Sequence, residues 1–288
     1  MSPNLAGALL MVASMAAFTV NDSMVKLTGG EVPLFQLIFL RGLLASVLIW
    51  ILARSLGRLH FRLDRRDWKL VLLRGLSEIA SSYFFLSALF NMPIGNLTAV
   101  LQALPLTVTL GSALVFREPV GWRRWVAILI GFGGMLLIVR PGPEGFDIWS
   151  VYALLAVLGV TVRDLCTRRL SPGVPGMTVS LVTSVFVMAA AGLASLAEPW
   201  APVSAGNAWL ITGASCFLIG GYYFSVQAMR SGEVSFVSPF RYTGLIWAML
   251  AGVFLFDEWP DQLTLLGAGI VVATGLFTLY RERLVSRR

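Results

Sequence analysis

Residues 113–122 read ALVFREPVGW, and residues 253–260 read VFLFDEWP. In both, an apolar run suited to a membrane helix stops at a charged pair followed by proline or Trp-Pro. Phe116 and Phe256 hold the matching places in the two breaks, close to half of the 288-residue chain apart. A single break of this kind marks a helix end; two at that spacing predict a duplicated chain.

The totals agree with a membrane setting. Hydrophobic residues make up 57% of the chain and charged ones 13%, with a mean hydropathy of +0.80. Soluble domains carry roughly a quarter charged residues. The net charge of +7 does not point to nucleic acid, because the basic residues are scattered over short segments between apolar runs. Cys166 and Cys216 both fall inside apolar runs without metal-ligand spacing, so neither a disulfide framework nor a zinc site is expected. The segment before the first apolar run carries no basic residue, so that run is expected to stay as a membrane helix.

A spanning helix needs about 20 mostly apolar residues, and that template fits ten times, at roughly 5–27, 33–53, 68–90, 95–115, 122–139, 149–167, 176–197, 208–228, 234–255 and 263–280. Breakers fall between the copies: Gly29, Gly30 and Pro33, Pro93 and Gly95, Pro119 and Gly121, Pro141 and Pro143, Pro172 and Pro175, Pro199 and Pro202, and Pro260. With the N-terminus cytoplasmic, the inside segments hold Arg54, Arg58, Arg62, Arg65, Arg66, Lys69, Arg117, Arg123, Arg124, Arg168, Arg169, Arg230, Arg281, Arg283, Arg287 and Arg288. The outside loops hold only Arg140. The positive-inside rule then predicts both termini cytoplasmic.

The register that lays Phe116 on Phe256 also matches Glu118 with Glu258. It aligns SSYFFLSALF (81–90) with GYYFSVQAMR (221–230), matching Tyr83 with Tyr223, Phe84 with Phe224 and Ala88 with Ala228. A slightly longer shift lays Asp22 and Lys26 on Asp164 and Arg168. Each half holds five spans, an odd number, so the second half enters the membrane from the opposite side. The expected fold is an all-α integral membrane protein of two inverted five-helix repeats, 1–142 and 143–288. Inverted repeats are a recurring plan of secondary transporters, whose substrate site lies near the midplane between the halves.

The residues that carry a family likeness are FTVNDSMVK (18–26), Arg41 in FLRGLLAS (39–46), FREP (116–119), TRRL (167–170) and SPFRYTGLIWAMLAGVFLFDEWP (238–260). With ten helices in two halves, the chain resembles the drug/metabolite transporter superfamily, and within it the EamA-like exporters of the amino-acid and metabolite type. It is similar to exporters of aromatic amino acids and of methyl viologen. The resemblance implies alternating access in a cell inner membrane, with a central cavity lined chiefly by the third, fourth, eighth and ninth helices. The fifth and tenth would serve as scaffold.

Charges inside a bilayer cost roughly 2.5–3.5 kcal/mol each on insertion scales, and they face a cavity or a partner. The candidates are Asp22, Lys26, Arg41, Arg74, Glu78, Arg163, Asp164, Arg168 and Arg241. Asp22 with Lys26, Arg74 with Glu78 and Asp164 with Arg168 are spaced i,i+4, so each pair shares a helix face. They read either as mutual neutralisation or as gates, one near each membrane face. Arg241 has no acid nearby on its own helix; it reads either as the receiver of a substrate carboxylate through paired hydrogen bonds or as a structural bond to another helix, such as to Glu78. Tyr83, Asn96, Gln102, Tyr223, Gln227, Ser238, Tyr242 and Trp247 supply polar edges for a mostly apolar cavity. Pro105 and Pro239 predict kinks in the fourth and ninth spans. Glycines 131, 133 and 134 and glycines 267, 269 and 275 predict close helix packing.

An intramembrane hydrolase would need a buried histidine, but the sole one, His60, falls in a basic loop. No GxxxxGK[ST] loop is present, which argues against ATP-driven pumping by this chain. No cofactor or metal is expected, and no nucleic-acid partner. The expected partners are membrane lipid and a small-molecule solute, with the chain acting as a monomer or homodimer. The sequence therefore predicts a secondary exporter of amino acids, aromatic and other neutral ones included, and of related metabolites. Export of cationic drugs such as methyl viologen stands as the alternative; a channel would be told apart by non-saturable flux.

Overall fold

The computed structural model describes residues 2–55, 59, 61–117, 121–139, 147–231 and 233–286. Glu118, Pro119, His60, Arg58, Arg140, Pro141, Pro143, Arg287 and Arg288, used above, lie outside the described residues. Among those described, the chain forms α1 (Pro3–Lys26), α2 (Leu34–Ser55), α3 (Arg65–Asn91), α4 (Ile94–Leu101), α5 (Leu104–Phe116), α6 (Trp122–Val139), α7 (Ile148–Arg169), α8 (Gly176–Ser195), α9 (Ala205–Ser231), α10 (Val234–Val237), a 3-10 turn (Ser238–Tyr242), α11 (Thr243–Phe256) and α12 (Gln262–Ser286). Among the described residues, nine helical stretches are long and apolar enough to cross a bilayer, and Gln262–Thr278 adds a shorter apolar one. Leu114, Leu193 and Phe254 are 65–80% exposed, as outward faces bathed by lipid rather than water would be.

Two spans expected to be continuous are broken. The fourth divides into α4 and α5 at Gln102–Ala103, where Pro105 opens the second piece; the ninth divides at the 3-10 turn that holds Pro239. Proline has no N–H to give to the preceding turn, so it suits the start of a helix and ends the one before it. Both stretches close on left-handed residues, Arg117 (φ 54°, ψ 32°) and Asp257 (φ 54°, ψ 31°), whose N–H groups return to the carbonyls of Ser112 and Gly252. The opening pair of sequence breaks therefore folds in the same way at both places.

Among the described residues, short turns join α1 to α2, α3 to α4, α7 to α8, α8 to α9 and α11 to α12, so crossings alternate there. The α1–α2 turn is made by Gly29 and Gly30 at φ 62° and 76°, a conformation that costs glycine alone nothing. Contacts between helix ends follow the alternation. On the face holding that turn, the Gln36 side chain pairs with the backbone of Ala201 (2.9 and 3.0 Å), and Asn207 donates to Glu31 (2.8 Å). On the opposite face, Asp67 accepts from the backbone and hydroxyl of Ser171 (both 3.2 Å), and Glu233 N–H donates to Asn4 (2.9 Å).

Packing between the halves is matched. Helix α1 lies along α9 as α7 lies along α3; α1 meets α11 as α7 meets α5; α2 packs on α8, α6 on α12, and α4 on α11. The α6–α12 contact is close because Gly134 and Gly267 meet: a Cβ on Gly267 would stand 2.5 Å from the Gly134 carbonyl. Gly131 and Gly275 are likewise hemmed in, by Leu106 and Thr274 and by the Tyr242 hydroxyl. Gly133 and Gly269 do not join this seam, since a Cβ on either would meet nothing within 4 Å.

Candidate functional site

Between the halves lies a stripe of charges contributed by four helices, with the half-exposed Tyr222 of a fifth beside it. On the side of the α1–α2 turn, Asp22 lies about one turn from the end of α1 and Arg41 about two turns into α2. The two act on each other electrostatically, and Asp22 also accepts a hydrogen bond from the Asn21 amide (2.7 Å). Tyr222 of α9 and Glu78, midway along α3, come next; both act on Arg41 electrostatically. Beyond them Arg163 of α7 donates to Glu78 (3.3 Å) and to its neighbour Asp164 (2.9 Å). Arg74 ends the stripe, donating to the hydroxyls of Thr167 and Thr183. Signs alternate along this path, so each cation has an anion within reach, which offsets the cost of placing charge in a bilayer.

The partners differ from those the i,i+4 spacing predicts. Lys26 does not turn back to Asp22: its ammonium reaches past the end of α1 to Glu258 (2.5 Å) and the Met92 carbonyl (2.7 Å). Glu258 in turn accepts from the N–H of Ile94 (2.9 Å), an otherwise orphaned donor in the first turn of α4. A carboxylate that serves both a cation and a helix N-terminus outcompetes a same-helix pair. Glu78 likewise leaves Arg74 for Arg163, and Asp164 takes Arg163 while Arg168 donates to Ser112 (2.7 Å). In the register that lays Asp22 on Asp164, Arg163 stands where α1 has Asn21; each donates to the aspartate that follows it. The repeat thus conserves the bond but changes its charge.

Aromatic rings flank the stripe. Phe18 meets Tyr222 edge-on at 5.2 Å, and Phe35, Tyr83, Phe84, Tyr152 and Trp149 form a continuous group at 5.1–6.1 Å. Gln102 sits at the α4–α5 break, its amide 3.7 Å from where a Cβ on Gly244 would stand, so it lies at the crossing of the two broken spans. Tyr223 and Gln227 bond to each other along α9 (3.2 Å). Asn96, Ser238 and Trp247 make no side-chain hydrogen bond among the described residues, and Trp247 is 36% exposed.

Two expected cavity residues stand elsewhere. Tyr242 is buried, with its hydroxyl wedged against Gly275 of α12 and without a hydrogen-bond partner among the described residues. Arg241 is exposed in the 3-10 turn and bonds neither Glu78 nor any other described residue. Sequence reasoning missed Tyr222 in favour of Tyr223, and Glu258 as the mate of Lys26. For Glu258 a signal existed: no base lies within four residues of it in the sequence.

This frame of paired five-helix units, two broken spans and an internal charge stripe can be set beside known proteins. The sequence profile of the EamA-like transporter family matches residues 5–140 and again residues 147–280. The chain belongs to the EamA-like transporter family. This EamA-like chain is 26% identical over 277 residues to an S-adenosylmethionine uptake transporter of Rickettsia conorii, covering 96% of this chain and 92% of that one. It is 29% identical to a riboflavin transporter of Vibrio cholerae, covering 99% and 96%. A pseudopaline exporter of Pseudomonas aeruginosa is 24% identical, with 96% of each chain covered. A solved crystal structure superposes with a TM-score of 0.67 at 17% identity, over 96% of this chain and 98% of that one, a likeness of fold. The EamA-like chain is thus a multi-pass membrane transporter of a small-molecule substrate.

Proposed function

We propose that the protein is a secondary carrier of amino acids and related small zwitterionic metabolites. It works by alternating access between two inverted five-helix halves, 1–142 and 143–288, in the cell inner membrane with both termini cytoplasmic. The charge stripe carries this reading. A zwitterion needs an anion and a cation at amino-acid spacing, and Arg41, Glu78 and Arg163 offer both along one path between the halves. The flanking rings suit aromatic and other bulky neutral side chains, since ring pairs contribute about 0.5–1.5 kcal/mol beyond burial. Relatives named for S-adenosylmethionine, itself an amino acid with a large aromatic group, and for riboflavin support a solute of that kind.

Direction follows the gradient. The named relatives include both an uptake transporter and an exporter, and a carrier without its own energy source moves a solute concentrated in the cytoplasm outward. The orientation is supported by the basic residues gathered on the face opposite the α1–α2 turn. On this reading the Lys26–Glu258 pair closes the outer face.

Counterflow in proteoliposomes tests the proposal: vesicles loaded with unlabelled amino acid receive labelled amino acids, S-adenosylmethionine or riboflavin outside, with a pH gradient imposed or absent. Saturable uptake stimulated by the internal solute is expected. Linear, non-saturable flux would indicate a channel instead. No flux above empty vesicles for any of these solutes would remove the carrier reading.

A further inference from the structure

On the face opposite the α1–α2 turn, where α3 meets the α7–α8 connection, a cavity of about 300 Å³ is lined by Arg74, Thr167, Ser171, Gly176 and Ser180 among apolar walls. Its volume lies at the lower end of the range for small-molecule sites. Arg74 is its only charged lining group. The carboxylate that sequence spacing assigns to Arg74, Glu78, is held instead by Arg163. Arg74 keeps two neutral partners, the hydroxyls of Thr167 and Thr183. Those bonds use two of the five N–H donors of a guanidinium and fix its plane. Three donors remain, in a pocket with two serine hydroxyls close by. A fixed guanidinium with free donors is the ordinary receiver of a carboxylate, through two parallel hydrogen bonds.

We propose that this cavity is the cytoplasmic-side binding site for the carboxylate of the transported solute, with Arg74 as its receiver. The inference rests on the carrier reading above and names the part of the solute that is recognised. It moves the carboxylate contact from the exposed Arg241 to Arg74. It also accounts for the pairing of Glu78 with Arg163: the swap leaves Arg74 acted on by Glu78 from a distance but in no direct ion pair, so no contact has to be released before a solute can bind. Thr167 and Thr183 hold Arg74 without competing for that charge.

The test uses the purified full chain in phosphatidylcholine vesicles, which contain no anionic lipid. Binding of labelled phenylalanine is measured by scintillation proximity and competed with unlabelled phenylalanine or phenylalaninamide, whose carboxylate is replaced by a neutral carboxamide. Charge-assisted hydrogen bonds of this kind are expected to weaken binding on the order of 10- to 100-fold when removed. Wild type should therefore prefer phenylalanine over the amide by about that factor. Arg74→Gln should abolish the preference while leaving the affinity for the amide within about 2-fold, and Arg74→Lys should restore part of it. Gly176→Phe is a second variant that leaves Arg74 and its threonines in place. A Cβ there meets nothing within 4 Å, so the ring should fill the cavity and weaken both competitors without unfolding the chain.

Equal loss of phenylalanine and amide binding in Arg74→Gln, with Gly176→Phe unchanged, would overturn the assignment. An Arg74 effect that appears only when phosphatidylglycerol is added, alike for acid and amide, would overturn it in favour of a lipid headgroup. Counterflow keeps the two proposals apart. Phenylalanine binding that depends on Arg74 but gives no flux sinks the carrier reading alone, whereas saturable flux indifferent to Arg74 sinks this inference alone.

Discussion

Replacing Glu258 by glutamine should open the face of the bundle that holds the α1–α2 turn. The carboxylate does two jobs: one oxygen lies 2.5 Å from the Lys26 ammonium and the other accepts the Ile94 N–H at 2.9 Å. Through them the ends of α1 and α11 are tied to the turn between α3 and α4. The side chains keep only 11% and 20% of their surface. At the effective dielectric of such sites two unit charges about 4 Å apart attract by roughly 4 kcal/mol. Breaking a fully buried pair costs about 3–5 kcal/mol because one charge is left without a mate. Glutamine can still accept from Ile94, and the Met92 carbonyl still holds Lys26, so a net loss of about 2–3 kcal/mol is expected for the closed arrangement. At 1.4 kcal/mol per tenfold, the closed-to-open ratio falls by roughly 30- to 150-fold.

A population closed at about 99 in 100 would then be divided nearly evenly. Spin labels on Leu27 and Trp259, both exposed, with Cys166 and Cys216 changed to alanine, would read this as a second, longer distance between the ends of α1 and α11. Adding Lys26→Met to Glu258→Gln should return part of the short population, because the unmated ammonium is gone. An unchanged distance distribution in Glu258→Gln, or a double variant no more closed than the single one, would refute the reasoning.

Arg163→Gln removes the direct partner of both Glu78 and Asp164, which keep 21% and 40% of their side-chain surface, so it should cost about 1–2 kcal/mol, less than a fully buried pair, read as a drop in melting temperature in detergent, whereas Ser180→Ala should leave it unchanged. Gly267→Val should separate α6 from α12, since the added carbons would overlap the Gly134 carbonyl, while Gly133→Ala and Gly269→Ala should raise stability by about 0.5–1 kcal/mol each; the same melts separate the two groups. Tyr242→Phe removes a buried hydroxyl with no partner among the described residues, so it should stabilise the chain by about 1–2 kcal/mol. Destabilisation by that change would mean that the hydroxyl is satisfied in the membrane.

The spans, the places where the fourth and ninth bend and the twofold pattern were legible in the sequence for one reason, though full breaks at those bends were not. A bilayer forces helices, and prolines or charges inside an apolar run mark where they stop. Arg117 and Asp257 show how far this goes: a local break that recurs half a chain later folds to the same left-handed cap. The ion pairs were not legible, because i,i+4 spacing states only that two side chains share a face. What decides the partner is the competing group on the next helix, and for Lys26 that group is 232 residues away. The surroundings of Tyr242 were not legible for a related reason: it ends the 3-10 turn, and its hydroxyl lies against Gly275 of α12.

The twofold pattern separates what moves from what selects. Matched contacts of α1 with α9 and of α7 with α3 give the two halves equivalent surfaces, as the proposed rocking between two states of nearly equal energy requires. Some charges follow that symmetry, Asp22 and Lys26 falling on Asp164 and Arg168, and others do not. In the register that lays Phe116 on Phe256, Glu78 falls on Leu218, Arg74 on Ala214 and Tyr222 on Ser82; in the one that lays Asp22 on Asp164, Arg163 falls on Asn21. A symmetric stripe would present the same group to solute from either side and would hold it equally at both. Arg74, whose repeat position holds Ala214, is a group without a counterpart, so on the carrier reading proposed above the two sides are expected to hold solute unequally. Proteoliposomes with one orientation blocked by impermeant thiol labelling should therefore give different KM values for the two directions of flux.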